Sequence, residues 1–393
     1  MNGVANCHLK EYGVNPEIII ESPQVMTLFG AFSDCINGYA LMSTNDYGMR
    51  IAVSRRDDNT VKILNATKQD KKKFLVSNIK YRKEDRWANA AKAILYELVM
   101  SGYQIGGMNI TIKGPSAIGD NFSLCASIFS GLLVAVKDLY GLDIDADMML
   151  KLAFSANGFS ELFQTRLRDL ITIFTAKKDH VIFFDLESYE YKMFEYPFNS
   201  LPGVESYLLS TSLPYSVLTP EMEEFRLSVL SLMHDVKSRL PKNFKLRELS
   251  DHQIRQELRL KPEIQRRQLL YVVEESEIAK QAKDALENKD FEAFSKLMVT
   301  LQKDLFTKAE LTTPEIDWIV KKSGETEGVL GISQVFVGLS GTLITLIDSN
   351  IDIAYTGRLE EYERIFGFHA TIRPYVPCGS VRRIDINEDS SCQ

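Results

Sequence analysis

Asn109-Ile-Thr-Ile-Lys113, Gly114-Pro-Ser-Ala-Ile-Gly-Asp-Asn121 and Phe122-Ser-Leu-Cys-Ala-Ser-Ile-Phe-Ser-Gly-Leu-Leu-Val-Ala-Val136 follow one another without interruption. The first piece is rich in β-branched residues and bounded by glycines, which predicts a strand. The second carries the turn-forming residues Gly, Pro, Asp and Asn, which predicts a loop. The third is the longest nearly uncharged apolar run of the chain, bounded by Asp120 and Lys137. It is shorter than the roughly 20 residues a membrane-spanning helix needs, so it reads as a buried core helix over 123–139. A strand delivered through a glycine-bearing loop into a buried helix sets the class of the first half, a mixture of sheet and helix.

Working outward, 17–29 reads as a strand interrupted at Pro23 and running into Gly30, and 38–53 as paired strands. Asn59-Thr-Val-Lys-Ile-Leu-Asn-Ala66 alternates with period two and predicts another strand. A helix is expected from Trp87 to Met100, ended by Gly102, then a helix over 145–165 and a strand over His180-Val-Ile-Phe-Phe-Asp185. Past a boundary near 200, around Asn199-Ser-Leu-Pro-Gly203, a strand at 205–211 leads into a helical stretch. Helices are expected at 220–239, 269–287 and 290–307, then strands at 333–338 and 342–348, a helix at 357–365 and a strand at 369–374. Residues 387–393 are polar and expected to fray.

Composition narrows the function. The chain has 393 residues, more than one core usually holds, so two domains are expected. Its net charge of −7 gives no electrostatic reason for nucleic acid or an anionic membrane surface. The five cysteines (Cys7, Cys35, Cys125, Cys378, Cys392) and five histidines are scattered, without Cys-x-x-Cys or metal-ligand spacing. That argues against a disulfide framework and a zinc site. No basic segment followed by an apolar one opens the chain, so a cytoplasmic location is expected. Between Lys242 and Arg267 eight basic residues alternate with acidic ones, which reads as a mixed-sign helix surface, with an acidic-partner face as the alternative.

Several stretches, in order along nearly the whole chain, resemble the galactokinase family of the GHMP small-molecule kinases. Ser22-Pro23 through Leu41 is similar to the first family motif, in which Ala-Pro-Gly-Arg-Val leads through Gly-Glu-His-Thr-Asp to Gly-Tyr. Trp87-Ala-Asn89 to Gly107 resembles the nucleotide-side helix, and Gly114 to Leu132 the phosphate loop. Asp169 to Glu187 matches the segment of the catalytic aspartate, with His180 and Asp185 at the family spacing. Leu246-Arg-Glu-Leu-Ser250, Tyr271-Val-Val-Glu274, Thr312-Thr-Pro-Glu-Ile-Asp317 and Gly328-Val-Leu-Gly331 through Ile347 resemble later landmarks. The resemblance implies an α+β, two-domain GHMP kinase fold with mixed sheets and helices, an N-terminal domain over 1–200, a C-terminal domain over 201–393 and a cleft between them.

It also assigns roles. Positioning and electrostatics carry phosphoryl transfer, and a glycine-rich turn lets backbone N–H groups approach phosphates at a helix N-terminus. Gly119 and Ser123 are retained in that turn and, with Trp87 and Asn89, form the implied nucleotide site. Asn121 replaces a family glycine, and Leu124 and Cys125 replace two serines, one of which contacts Mg²⁺ in the family. The family's second metal ligand, a glutamate, corresponds to Asn157, so no metal site is assigned. Asp169 corresponds to the catalytic aspartate, while its partner arginine is replaced by Val25. Arg166 and Arg168 stand near Asp169, either as structural ion-pair partners or as a relocated cation. Among the sugar ligands Asp34 is kept, whereas a glutamate, a histidine and a tyrosine correspond to Ala31, Phe32 and Met222.

Two readings of function follow. The first is a galactokinase-like pseudokinase with degenerate ATP-binding motifs, acting in binding, sensing or scaffolding, with a protein partner or small-molecule ligand and no certain cofactor. The second is an active ATP-dependent sugar or small-molecule kinase of carbohydrate metabolism, using ATP and Mg²⁺. Neither reading involves nucleic acid or membrane.

Overall fold

A computed structural model describes residues 3–114, 124–160, 165–213, 215–336, 341–348 and 352–391. The chain falls into two compact units, and neither is continuous: the first combines 1–25, 44–178 and 378–393, the second 26–43 and 179–377. A single division near residue 200 therefore does not describe it. The C-terminal end returns to the first unit, and a short N-terminal segment is lent to the second.

Elements are numbered along the chain. The first unit is built on β1 (Ile18–Phe29), β2 (Tyr39–Arg55), β3 (Thr60–Asn65), β4 (Asp70–Leu75), β5 (Met108–Lys113) and β12 (Arg382–Arg383), in the spatial order β12-β1-β2-β5-β3-β4. β2 and β5 are antiparallel with Arg50 opposite Lys113, while β3 and β5 are parallel with Val61 opposite Met108. The strand read at 59–66 is β3, but burial does not alternate along it: of Thr60–Asn65 only Lys62 is not buried. The unit's helices are α1 (Val4–Tyr12), α2 (Ala88–Met100), α3 (Cys125–Tyr140), α4 (Ala146–Ser155), α5 (Leu167–Thr175) and α12 (Ile386–Ser391).

The apolar run at 122–136 becomes α3, buried along most of its length. It lies flush on the sheet because Gly131 has no side chain: a Cβ there would stand 2.9 Å from Ile51 Cδ1 and Ser22 Cβ. The helix expected at 145–165 ends early, since α4 covers only Ala146–Ser155 of it. α4 is capped by Asp145, whose carboxylate accepts from Met148 N at 2.7 Å, and runs into a 3₁₀ turn at Ala156–Phe159. The Asn157-Gly158 pair breaks it there, and α5 starts afresh at Leu167.

The expectation of a frayed end fails for 387–391. There α12 places Asp389 as a cap on α1, with carboxylate oxygens accepting from Val4 N at 3.1 Å and Ala5 N at 2.9 Å. Arg50 balances that charge at 3.3 Å. Caps of this kind are worth about 1 kcal/mol.

The second unit holds β6 (His180–Asp185), β7 (Tyr191–Glu195), β8 (Val204–Ser210), β9 (Val329–Val335), β10 (Thr342–Asp348) and β11 (Thr371–Pro374). Its helices are α6 (Tyr215–Lys237), α7 (Asp251–Glu257), α8 (Glu263–Glu287), α9 (Phe291–Asp304), α10 (Pro314–Gly324) and α11 (Asp352–Phe366). β8 to β11 form an antiparallel sheet in the order β11-β8-β10-β9, and β6 pairs with β7 and with the start of β2, Tyr39 opposite Asp185. The basic stretch from 242 to 267 is charge-balanced. Arg247 pairs with Asp185 and Glu187, Lys245 with Glu187, Lys261 with Asp235, Arg266 with Glu263 and Arg267 with Glu310.

Candidate functional site

Each unit carries one of the aspartates singled out in the sequence. In the second unit β1 ends at Phe29, and Gly30 turns the chain with φ +82. No side chain fits at Gly30, where a Cβ would stand 2.2 Å from the Tyr39 carbonyl oxygen. A 3₁₀ turn, Ser33–Ile36, follows, and Asn37 reverses the chain in the left-handed region with φ +50. α8 clamps both ends of this loop. The Glu275 carboxylate accepts the Phe32 N–H, and Ser276 Oγ accepts from Tyr39 N at 2.9 Å.

Ala31 and Phe32 point into the core of this unit, 3% and 2% exposed. The Phe32 ring lies 4.7 Å from Phe225, 5.4 Å from Phe336 and 6.5 Å from Tyr271, centroid to centroid. Tyr271 is fully buried, and burial, with Glu275 beside it, pushes its hydroxyl well above the usual tyrosine range. Met222, from α6, is buried in the same cluster. Asp34 sits on the turn, and its Oδ2 receives Arg226 Nη1 from α6 at 2.5 Å. Thus the loop of Asp34 combines an aromatic plug with the Asp34–Arg226 ion pair. Arg226 and Glu275 carry no sequence signal of their own. They stand on helices far along the chain, and only the fold brings them here.

In the first unit Asp169 occupies the first turn of α5. Its Oδ2 accepts from Arg166 N at 3.3 Å, and Arg168 Nε stands 3.8 Å from Oδ1. The carboxylate is 24% exposed, whereas Arg168 is almost wholly buried. Val25 packs against the core of this unit. Asn157 uses both ends of its amide on one residue: Nδ2 donates to Thr165 O at 2.9 Å and Oδ1 accepts from Thr165 N at 3.0 Å. An ionised carboxylate, which only accepts, could not do both.

Gly119, Asn121 and Ser123 lie outside the described residues. Just beyond them Leu124 and Cys125 are buried, and burial pushes the Cys125 thiol up to about 12. Ser127 donates to the Pro23 carbonyl at 2.6 Å. A hard divalent cation takes oxygen ligands. A leucine and a buried protonated thiol supply none, so positions 124 and 125 do not fit Mg²⁺, while the Asn157 carbonyl oxygen accepts a hydrogen bond from Thr165 N. Among the described residues no cluster of His, Cys, Asp or Glu has the arrangement to hold a metal ion, and no helix is long and apolar enough to cross a membrane.

Trp87 and Asn89 open α2, and both are buried. The Trp87 indole donates to Asp70 at 2.8 Å, and Asn89 holds the backbone of Arg82 through both amide ends. In this structure they tie the 80–86 segment to the helix.

No family model matches the chain. The chain is 27% identical over 376 residues to the putative galactokinase of Treponema pallidum, covering 94% of this chain and 93% of that protein. It is 27% identical over 335 residues to the galactokinase of Pyrococcus furiosus, covering 85% and 90%. Along nearly its whole length this chain is similar to proteins named galactokinase. The fold agrees: the Lactococcus lactis galactokinase solved with galactose superposes with a TM-score of 0.84 at 20% identity, covering 97% of this chain and 99% of that one. The mevalonate kinase of Methanococcus jannaschii superposes at 0.63 with 17% identity, over 94% and 98%. The α+β GHMP kinase architecture expected from the sequence is therefore the one observed.

Proposed function

We propose that this galactokinase-family protein has little or no galactokinase activity and works by binding, as a pseudokinase in sensing or scaffolding. One observation carries the reading: Phe32 is buried among Phe225, Tyr271 and Phe336 at the position matching a sugar-binding histidine of the family motif. A sugar is held by hydrogen bonds to its hydroxyls, and each hydroxyl left desolvated without a partner costs ~1–3 kcal/mol. Ala31, Phe32 and Met222 offer no such partner, and Asp34 is engaged by Arg226. Two or three losses of that size weaken galactose binding by several orders of magnitude. The lack of oxygen donors at Leu124 and Cys125 supports the same reading on the metal side.

Calorimetric titration with galactose and with Mg·ATP, beside an assay for galactose 1-phosphate, tests it. No measurable heat and no product are expected. Micromolar, Mg-dependent ATP binding, or product formed in proportion to protein, would sink the pseudokinase reading. A second reading, an active ATP-dependent kinase for a less polar small molecule, draws on one feature: Asp169 keeps the Arg168 guanidinium 3.8 Å away. ATP and Mg²⁺ would then be its cofactors, and the same titration with Mg·ATP separates the two.

A further inference from the structure

In the basic stretch at 242–267 most cations are paired with neighbours, but in a second one none is. Lys62 of β3, Lys73 of β4, and Lys80, Arg82, Lys83 and Arg86 beyond it make no ion pair among the described residues. Of the acids nearby, Asp85 is held by Lys92, Asp70 by Trp87 and Lys72, and Glu11 by Lys71, which leaves Glu84. On a chain of net charge −7 this is a local surplus of the opposite sign.

The six cations share one margin of the first unit. Lys62 and Lys73 are direct cross-strand neighbours in the β3–β4 pair. The 80–86 segment is pinned beside β4, since Lys92 Nζ bonds to Lys80 O at 2.9 Å and to Asp85 and stands 5.3 Å from the Phe74 ring centroid. β4 is the terminal strand of the order, and among the described residues it pairs with β3 alone. Its outer edge therefore offers a row of backbone donors and acceptors between two banks of positive charge.

Like charges directly opposite one another are destabilising in a strand pair. Lysines on a terminal strand also guard against edge-to-edge association, which accounts for Lys71 to Lys73. Edge protection needs no cations on 80–86, and four stand there.

We infer that this margin is a docking site for an extended acidic segment of a partner protein, laid along the outer edge of β4 with its carboxylates reaching the cations on either side. The backbone row calls for a polypeptide, because strand addition satisfies such groups and a nucleic acid does not. The charge of the whole chain opposes a long polyanion. A second copy of the same edge would set lysines against lysines. The inference stands whether or not Asp169 transfers phosphate.

The test is fluorescence anisotropy of the full chain with a labelled peptide of alternating Glu and Val, beside hydrogen exchange of the complex. Binding that falls about tenfold or more in the Lys73→Glu/Arg82→Glu/Arg86→Glu variant, with slowed exchange at 70–75, is expected. These side chains are exposed, so the variant should keep its unfolding midpoint, and a Lys→Gln/Arg→Gln version at the same positions controls for a fold defect. No binding, equal binding by the charge-reversed protein, tighter binding to duplex DNA or to anionic vesicles, or binding without protection of β4 would each overturn it.

Discussion

Asp34 and Asp169 are the two aspartates that the motif resemblance singles out, and the molecule holds them in opposite ways. Asp34 is fixed by residues distant in sequence: its turn is clamped by Glu275, plugged by Phe32 and paired with Arg226. Asp169 is fixed by its own neighbourhood, through the Arg166 amide at the start of α5 and Arg168 beside it. The first arrangement is tertiary and closes around the carboxylate. The second is local and leaves a quarter of the side chain in water. The identity of a residue does not by itself set its role, because the surroundings decide what a carboxylate can bind.

The largest effect expected from this contrast is at Phe32. If the ring is a core residue, Phe32→Ala should destabilise by about 3–5 kcal/mol in urea unfolding, as other Phe-to-Ala core truncations do. It should also leave galactose without measurable affinity, since the truncation supplies no hydrogen-bond partner. A near-neutral change would mean that the loop around Asp34 is open enough to admit a ligand, and the contrast with Asp169 would dissolve.

The sequence made the elements legible wherever local pattern and final environment agree. β6 and β10 run over the residues their apolar periodicity indicates, and α2 ends at Met100 before Gly102. The errors have physical causes. The helix read over 145–165 overran the end of α4 because the turn at Asn157-Gly158 is held by a side chain reaching Thr165, a contact that no local pattern announces. α12 is polar and too short to announce itself, and it is held by Asp389 capping α1 across almost the whole chain. At the site, the replacements at 31, 32, 124, 125 and 157 could be read against the family motifs. Arg226 and Glu275 could not, because nothing local marks a helix residue as the partner of a turn some 190 or 240 positions earlier.

An intermediate effect is expected for the ion pair. Arg226→Met removes the guanidinium from a carboxylate that is only 16% exposed. A hydrogen bond to a charged group contributes ~1.5–3 kcal/mol, so the single variant should lose an amount in that range. Asp34→Asn should lose less, and the double variant less than the sum of the two, giving a coupling energy of about 1–3 kcal/mol. Additive losses would show that Asp34 is not held by Arg226 in solution, and would return it to the list of groups available to a sugar.

The smallest effect on stability should come from Asp169→Asn, and it discriminates best between the two proposed functions. The amide keeps an oxygen for the Arg166 N–H and gives up the charge at the helix start, worth about 0.3–1 kcal/mol. Arg168 stands 3.8 Å from Asp169, too long for a hydrogen bond, so the charge rather than a bond to Arg168 is what the change removes there. A protein that works by binding should therefore show nearly unchanged unfolding and unchanged affinity for whatever ligand a thermal-shift screen finds. A kinase that uses this carboxylate as its base should fold equally well and lose phosphotransfer by about two to four orders of magnitude. Because the two readings agree on stability and part company on turnover, the same purified variant can be assigned to one of them without any correction for misfolding.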